Sequence, residues 1–107
     1  MKSYLALAAA VALTACAQSP DAIAPVAMPA GMFSGTSCVD ARSEQASTAA
    51  RLAALSAQQQ SAVTGDALGV ILIGVPVSSL AGGDKAGLIA TEKGQLLALD
   101  ARLAGCA

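Results

Sequence analysis

Residues 39–63, VDARSEQASTAARLAALSAQQQSAV, contain neither glycine nor proline. A run this long, free of both helix breakers and filled with Ala, Leu, Gln, Arg and Glu, is predicted to be one continuous helix. Asp40 is placed to cap its start, and Glu44 puts negative charge in the first turns, where it suits the helix dipole. Leu52 and Leu55 fall on one stripe, with Ala41, Ala49, Ala62 and Val63 nearby. Arg42, Glu44, Arg51 and the run Gln58-Gln59-Gln60 mostly supply polar surface, which leaves an amphipathic helix with a shallow apolar face.

The last segment, DKAGLIATEKGQLLALDARLAGCA, repeats the helical pattern. Ile89, Leu96, Leu99 and Leu103 follow a heptad-like spacing that Cys106 continues, with Glu92 as the one polar member of the seam. Arg102 sits near the C-terminal end, where a cation is favoured, and Gly105 is placed to end the helix. Gly94, inside the helix, costs roughly 1 kcal/mol relative to Ala and is expected to let the first helix approach closely. Two such helices, about 39–63 and 85–104, predict a mainly α chain folded as an antiparallel helical hairpin. Cys38 then lies just before the first arm and Cys106 just past the second, and an antiparallel hairpin brings those ends together. If the first helix instead runs on through Ile73, the arms are unequal and Cys38 overshoots its partner unless that helix unwinds or bends back at its start.

Between Asp66 and Asp84 no residue is charged. This stretch, 67–83, holds the aliphatic block Val70 to Ile73, then Pro76, Ser78 and Ser79, with a turn signalled at Gly82-Gly83. Its plainer reading is a helix end and turn packed against neighbouring helices. The sharper reading is a membrane-touching or self-associating patch, since Gly65 and Gly69 are spaced for close approach. A proline and several glycines make it a poor spanning helix.

Composition excludes more than it suggests. The chain has 107 residues and a hydrophobic content of 55%, yet one Tyr, one Phe and no Trp, so large core anchors are scarce. It has no His, the commonest general base and metal ligand. The formal charge is −1 with no basic cluster, which gives no footprint for nucleic acid. Cysteines at 16, 38 and 106 show no CxxC or zinc spacing, and the glycines form no phosphate-binding motif. Outside the leading segment and Glu44, the carboxylates are Asp40, Asp66, Asp84, Glu92 and Asp100, scattered and each with a capping or surface role open to it. No catalytic residue, metal site, cofactor or small-molecule substrate is assigned, and the chain is not read as an enzyme.

The first residues carry an address. Lys2 is a positive leader and Tyr4 to Leu13 a ten-residue apolar run, too short for a bilayer core that needs about 20 helical residues, so this reads as a signal peptide. Ala15-Cys16-Ala17 fits small-x-small cleavage after Ala17. Leu13-Thr14-Ala15-Cys16 closely resembles the bacterial lipobox: an aliphatic residue, two small ones, then Cys. That resemblance implies a diacylglyceryl group on the Cys16 thiol and cleavage before Cys16, removing residues 1–15. Ordinary secretion and an uncleaved anchor are the alternatives. Two or more acyl chains hold a protein stably on a membrane. Ala17 stands where an Asp would resemble an inner-membrane retention signal, so the expected place is the periplasmic face of the outer membrane.

Residues 16–37 then read as the lipidated Cys and a flexible Pro/Ala-rich tether, with Pro20, Pro25 and Pro29 biasing it from helix, and 38–107 as the hairpin domain. With Cys16 taken by lipid, Cys38 and Cys106 are left as an even pair in an oxidising compartment, the candidate disulfide; free thiols and a bridge between two chains are the other readings. The segment DALGVILIGVPVSSLAGGDKAGLIATEKG, Asp66 to Gly94, resembles one in small proteobacterial envelope lipoproteins. That resemblance implies an envelope location and no activity, catalytic residue or cofactor. The expected function is a small lipid-anchored envelope protein, a structural or interaction module that docks a protein partner or a second copy. The alternative is a membrane-active lipoprotein that inserts its 67–83 segment.

Overall fold

In a computed structural model of the chain, residues 17–75 and 82–106 are described. Two helices pack against each other: α1, Cys38–Ile73, and α2, Ala86–Leu103. One 3₁₀ turn, Pro20–Ala22, precedes them, and no strand occurs among the described residues. The mainly α hairpin expected from the sequence is what forms.

The cap of α1 is Ser37, not Asp40. The Ser37 hydroxyl accepts the Asp40 N–H at 3.1 Å, and Asp40 takes the third helical position, where its charge faces the dipole. The helix then runs ten residues past Val63. Gly65 and Gly69 do not stop it, because Gly69 lies on the inner face and is buried. It stops at Gly74, whose φ of 78° is the left-handed conformation that glycine adopts without a Cβ penalty, and whose N–H closes on the Val70 carbonyl at 3.0 Å.

The inner face of α1 steps alternately by four and three residues: Ala41, Gln45, Thr48, Leu52, Leu55, Gln59, Ala62, Asp66 and Gly69, all buried or half-buried. That is the 3.5-residue seam of a coiled-coil pair. Its partner is the seam expected on α2, with Ile89 and Leu99 fully buried and Glu92, Leu96 and Leu103 half-buried. Small and polar side chains share the α1 seam with only two leucines. No buried side-chain nitrogen or oxygen among the described residues lacks a hydrogen-bond partner, so this seam is polar and satisfied.

The unequal arms do not displace Cys38. Cys38 and Cys106 are joined, with Cα atoms 5.9 Å apart. Stepping inward from that pair along both chains, Gln45 meets Asp100 (2.6 Å), Arg51 meets Glu92 (3.3 Å) and Gln59 meets Lys85 (2.6 Å). The register therefore holds from the disulfide to the start of α2. The extra length of α1, residues 60–73, rises about 21 Å beyond that point. The twelve residues from Gly74 to Lys85 can span it, since an extended chain covers up to about 3.3–3.6 Å per residue. The mismatch is absorbed at the turn end, and α1 has no need to unwind at its start.

Residues 17–36 do not stand apart from the hairpin. They run alongside α2, in the same direction, as an irregular third layer. Ala17 and Ile23 are buried, the Val26 N–H donates to the Ala90 carbonyl at 2.9 Å, and Thr36 accepts from Arg102 Nε at 2.9 Å. Gly94 serves this layer and not α1. A Cβ there would collide with the Val26 carbonyl and come within 2.9 Å of Met28 Cε.

Candidate functional site

Three side chains fix where the leading segment meets the hairpin. Gln59, with no exposed surface, uses its whole amide: Nε2 donates to the Gln18 carbonyl (2.7 Å) and to Asp84 Oδ1 (3.0 Å), and Oε1 accepts the Lys85 N–H (2.6 Å). One side chain of α1 thus holds the leading segment and the start of α2. Lys93 reaches the other way from α2, its ammonium donating to the carbonyls of Pro20 (2.6 Å) and Ile23 (2.7 Å). Asp66, 2% exposed, accepts the Ala17 N–H on Oδ2 at 2.9 Å.

The last contact matters most for location. Cys16, the expected lipidation site, lies outside the described residues, but Ala17 is its covalent neighbour. The chain upstream of the fold therefore leaves from Asp66, far along α1 from the disulfide. Just past Asp66, α1 is apolar on every side: Leu68, Val70, Ile71, Leu72 and Ile73 are 44–77% exposed, and Val75 follows at 38%. This tip is the first part of the uncharged 67–83 stretch; residues 76–81 lie outside the described residues. It is not packed against the hairpin, as the plainer sequence reading expected. No helix among the described residues is long and apolar enough to cross a membrane.

At the opposite end, residues 25–34 arch over the outer face of α2 and leave an open groove of about 680 Å³. Met28, Met32, Phe33, Leu97 and Ala98 give it apolar walls. Arg102 closes one end, held by the Thr36 carbonyl and within 3.4 Å of Cys106 Sγ. Nothing in the spacing of residues 25–34 signalled this groove, because those residues read as tether.

The carboxylates occupy separate structural positions. Asp84 Oδ1 also accepts the Ala86 N–H at the start of α2, Glu92 pairs with Arg51, Asp100 accepts from Gln45, and Asp40 is exposed in the first turn of α1. Among the described residues no three His, Cys, Asp or Glu side chains come together to hold a metal ion. Of the residues singled out from sequence, the fold brings together Cys38 and Cys106. It also gives Asp66 a buried role that sequence did not assign, and it buries Gln59, which read as surface.

Compared with known proteins, the chain matches no family model, no curated protein and no solved structure.

Proposed function

We propose that this is a small lipid-anchored cell-envelope protein, acylated on Cys16, whose disulfide-closed hairpin works as a structural or interaction module and not as a catalyst. The observation that carries the reading is the Cys38–Cys106 pair. It accounts for two of three cysteines, it belongs to a protein exported to an oxidising compartment, and it leaves Cys16 as the one that follows Leu13-Thr14-Ala15. The address is the periplasmic face of the outer membrane. The apolar groove over α2, with its methionines and Phe33, is the surface best suited to a protein partner, since flexible Met side chains adapt to what they meet.

Mass spectrometry of protein extracted from its own membrane tests the anchor. The expected result is a mature chain beginning at Cys16 with two or three acyl chains, and loss of fatty-acid labelling in Cys16→Ser. A lipid-free mature chain starting at Gln18 overturns it.

A further inference from the structure

We propose that the tip of α1, Leu68 to Val75, is a shallow membrane-docking surface. It would seat in the same lipid leaflet as the acyl chains on Cys16, so that the hairpin stands on the bilayer with its disulfide end and groove held away. The proposal rests on the lipid-anchor reading and adds a second contact and an orientation to it.

Three observations combine. First, the tip is apolar all round: Ile71, Leu72 and Ile73 are 77%, 76% and 68% exposed, and no residue from 67 to 75 is charged. A helix end hydrophobic on every side needs an apolar surrounding, and no other element among the described residues supplies one. Second, the occupant is named by where the chain leaves the fold. Ala17 is bonded to Asp66, and Cys16 follows within about 3.8 Å, the span of one trans peptide. Whether Cys16 carries lipid or the apolar run Tyr4–Leu13 remains attached, the hydrophobic anchor joins the domain beside this tip. Third, the depth agrees. Ile73 lies seven residues beyond Asp66, about 10 Å of helix rise, enough to reach the headgroup–acyl boundary and far short of the roughly 30 Å hydrocarbon core. Gly74 ends the helix there by closing on the Val70 carbonyl, so the α1 terminus enters the interface with one of its open carbonyls satisfied. The disulfide end is then some 50 Å away along α1.

The tip carries no cation, so docking should depend on apolar burial and not on anionic lipid. The chain has no tryptophan, so a single introduced one reports alone. Mature lipoprotein bearing Ile71→Trp or Val39→Trp, both at exposed positions of α1, is reconstituted into phosphatidylcholine vesicles with bromine placed near the glycerol or deep in the chains. The probe at position 71 should be blue-shifted and quenched about twofold or more by the shallow bromines, less by the deep ones, and equally in high salt; the probe at position 39 should not respond. If position 71 is as unquenched as position 39 on protein whose acylated mass is confirmed, the docking proposal falls and the lipid-anchor reading stands. A blue shift at position 71 without lipid, growing with protein concentration, assigns the tip to a second copy and also overturns it. An unacylated mass in the same sample overturns the lipid-anchor reading itself.

Discussion

Replacing Gln59 with Leu should cost this fold far more than the same change at either neighbour. Gln58, Gln59 and Gln60 are chemically identical and adjacent, but 58 and 60 are exposed whereas Gln59 has no exposed surface. Leu is close to Gln in size, so the change removes hydrogen bonds with little loss of volume. It leaves the Lys85 N–H and the Gln18 carbonyl without the partners they now have at 2.6 and 2.7 Å. Asp84 keeps its bond to the Ala86 N–H, and both Asp84 and Gln18 are exposed residues that can turn to water, which leaves the half-buried Lys85 N–H as the orphan. One orphaned group at about 1–3 kcal/mol and two further lost hydrogen bonds at about 0.5–1.5 kcal/mol each give roughly 2–6 kcal/mol, and apolar burial of the new side chain offsets about 1 kcal/mol of that. The expected net loss is therefore about 1–5 kcal/mol, against about 0.5 kcal/mol or less for Gln58→Leu and Gln60→Leu. Urea unfolding of the three oxidised variants, followed by circular dichroism, measures it as a shift in midpoint at constant slope. Equal midpoints for all three would refute the idea that one amide joins the leading segment, α1 and the start of α2.

Gly94→Ala should destabilise the protein even though it adds helix propensity of about 1 kcal/mol, because the new Cβ meets the Val26 carbonyl and must disturb the Val26–Ala90 hydrogen bond; Gly87→Ala, with open space around it, should be neutral or stabilising, and a thermal melt that ranks the two alike would count against the third layer. Reducing the Cys38–Cys106 bond, which closes a sequence separation of 68, should lower stability by about 4 kcal/mol on the chain-entropy account, measured as the drop in urea midpoint with reductant; an unchanged midpoint would mean that the unfolded chain gains nothing from being released.

Of the fold, the α2 seam was legible because it is written in large aliphatics: Ile89, Leu96, Leu99 and Leu103 stand out at heptad spacing. The α1 seam was legible only in part, at Ala41, Leu52, Leu55 and Ala62, although its spacing is just as regular. Four of its nine positions are Gln45, Thr48, Gln59 and Asp66, residues that ordinarily mark the solvent side. Hydrophobic periodicity registers burial only when burial is apolar, and here much of it is polar and hydrogen-bonded. Of the two ends the sequence allowed for α1, the one at Ile73 forms and the shorter one near Val63 does not, for a related reason. Gly65 and Gly69 look like breakers in sequence, while in the fold Gly69 is simply the small residue at the next inner position. The groove and the clamp on residues 17–36 were invisible because they depend on backbone groups, the carbonyls of Pro20 and Ile23 accepting from Lys93 and the Val26 N–H donating to Ala90, across some seventy residues of sequence.

The polar seam also explains how a chain with so few large side chains holds three segments in register. Ala-rich faces bury little area, and apolar contact of that kind leaves neighbouring registers close in energy. Hydrogen bonds discriminate between registers sharply, because a slip that strands a buried amide or carboxylate costs the full desolvation of the group. Gln59 fixes the start of α2, Asp66 fixes Ala17, Lys93 fixes Pro20 and Ile23, and the disulfide fixes the far end. Every one of these restraints lies between the disulfide and Asp66. Beyond Asp66 no such bond forms between α1 and any described residue outside it, and the side chains turn from paired polar groups to bare aliphatics within two residues. The helix is specified by its own neighbours up to that point, and past it the exposed surface is suited to an apolar medium that the other described residues do not provide.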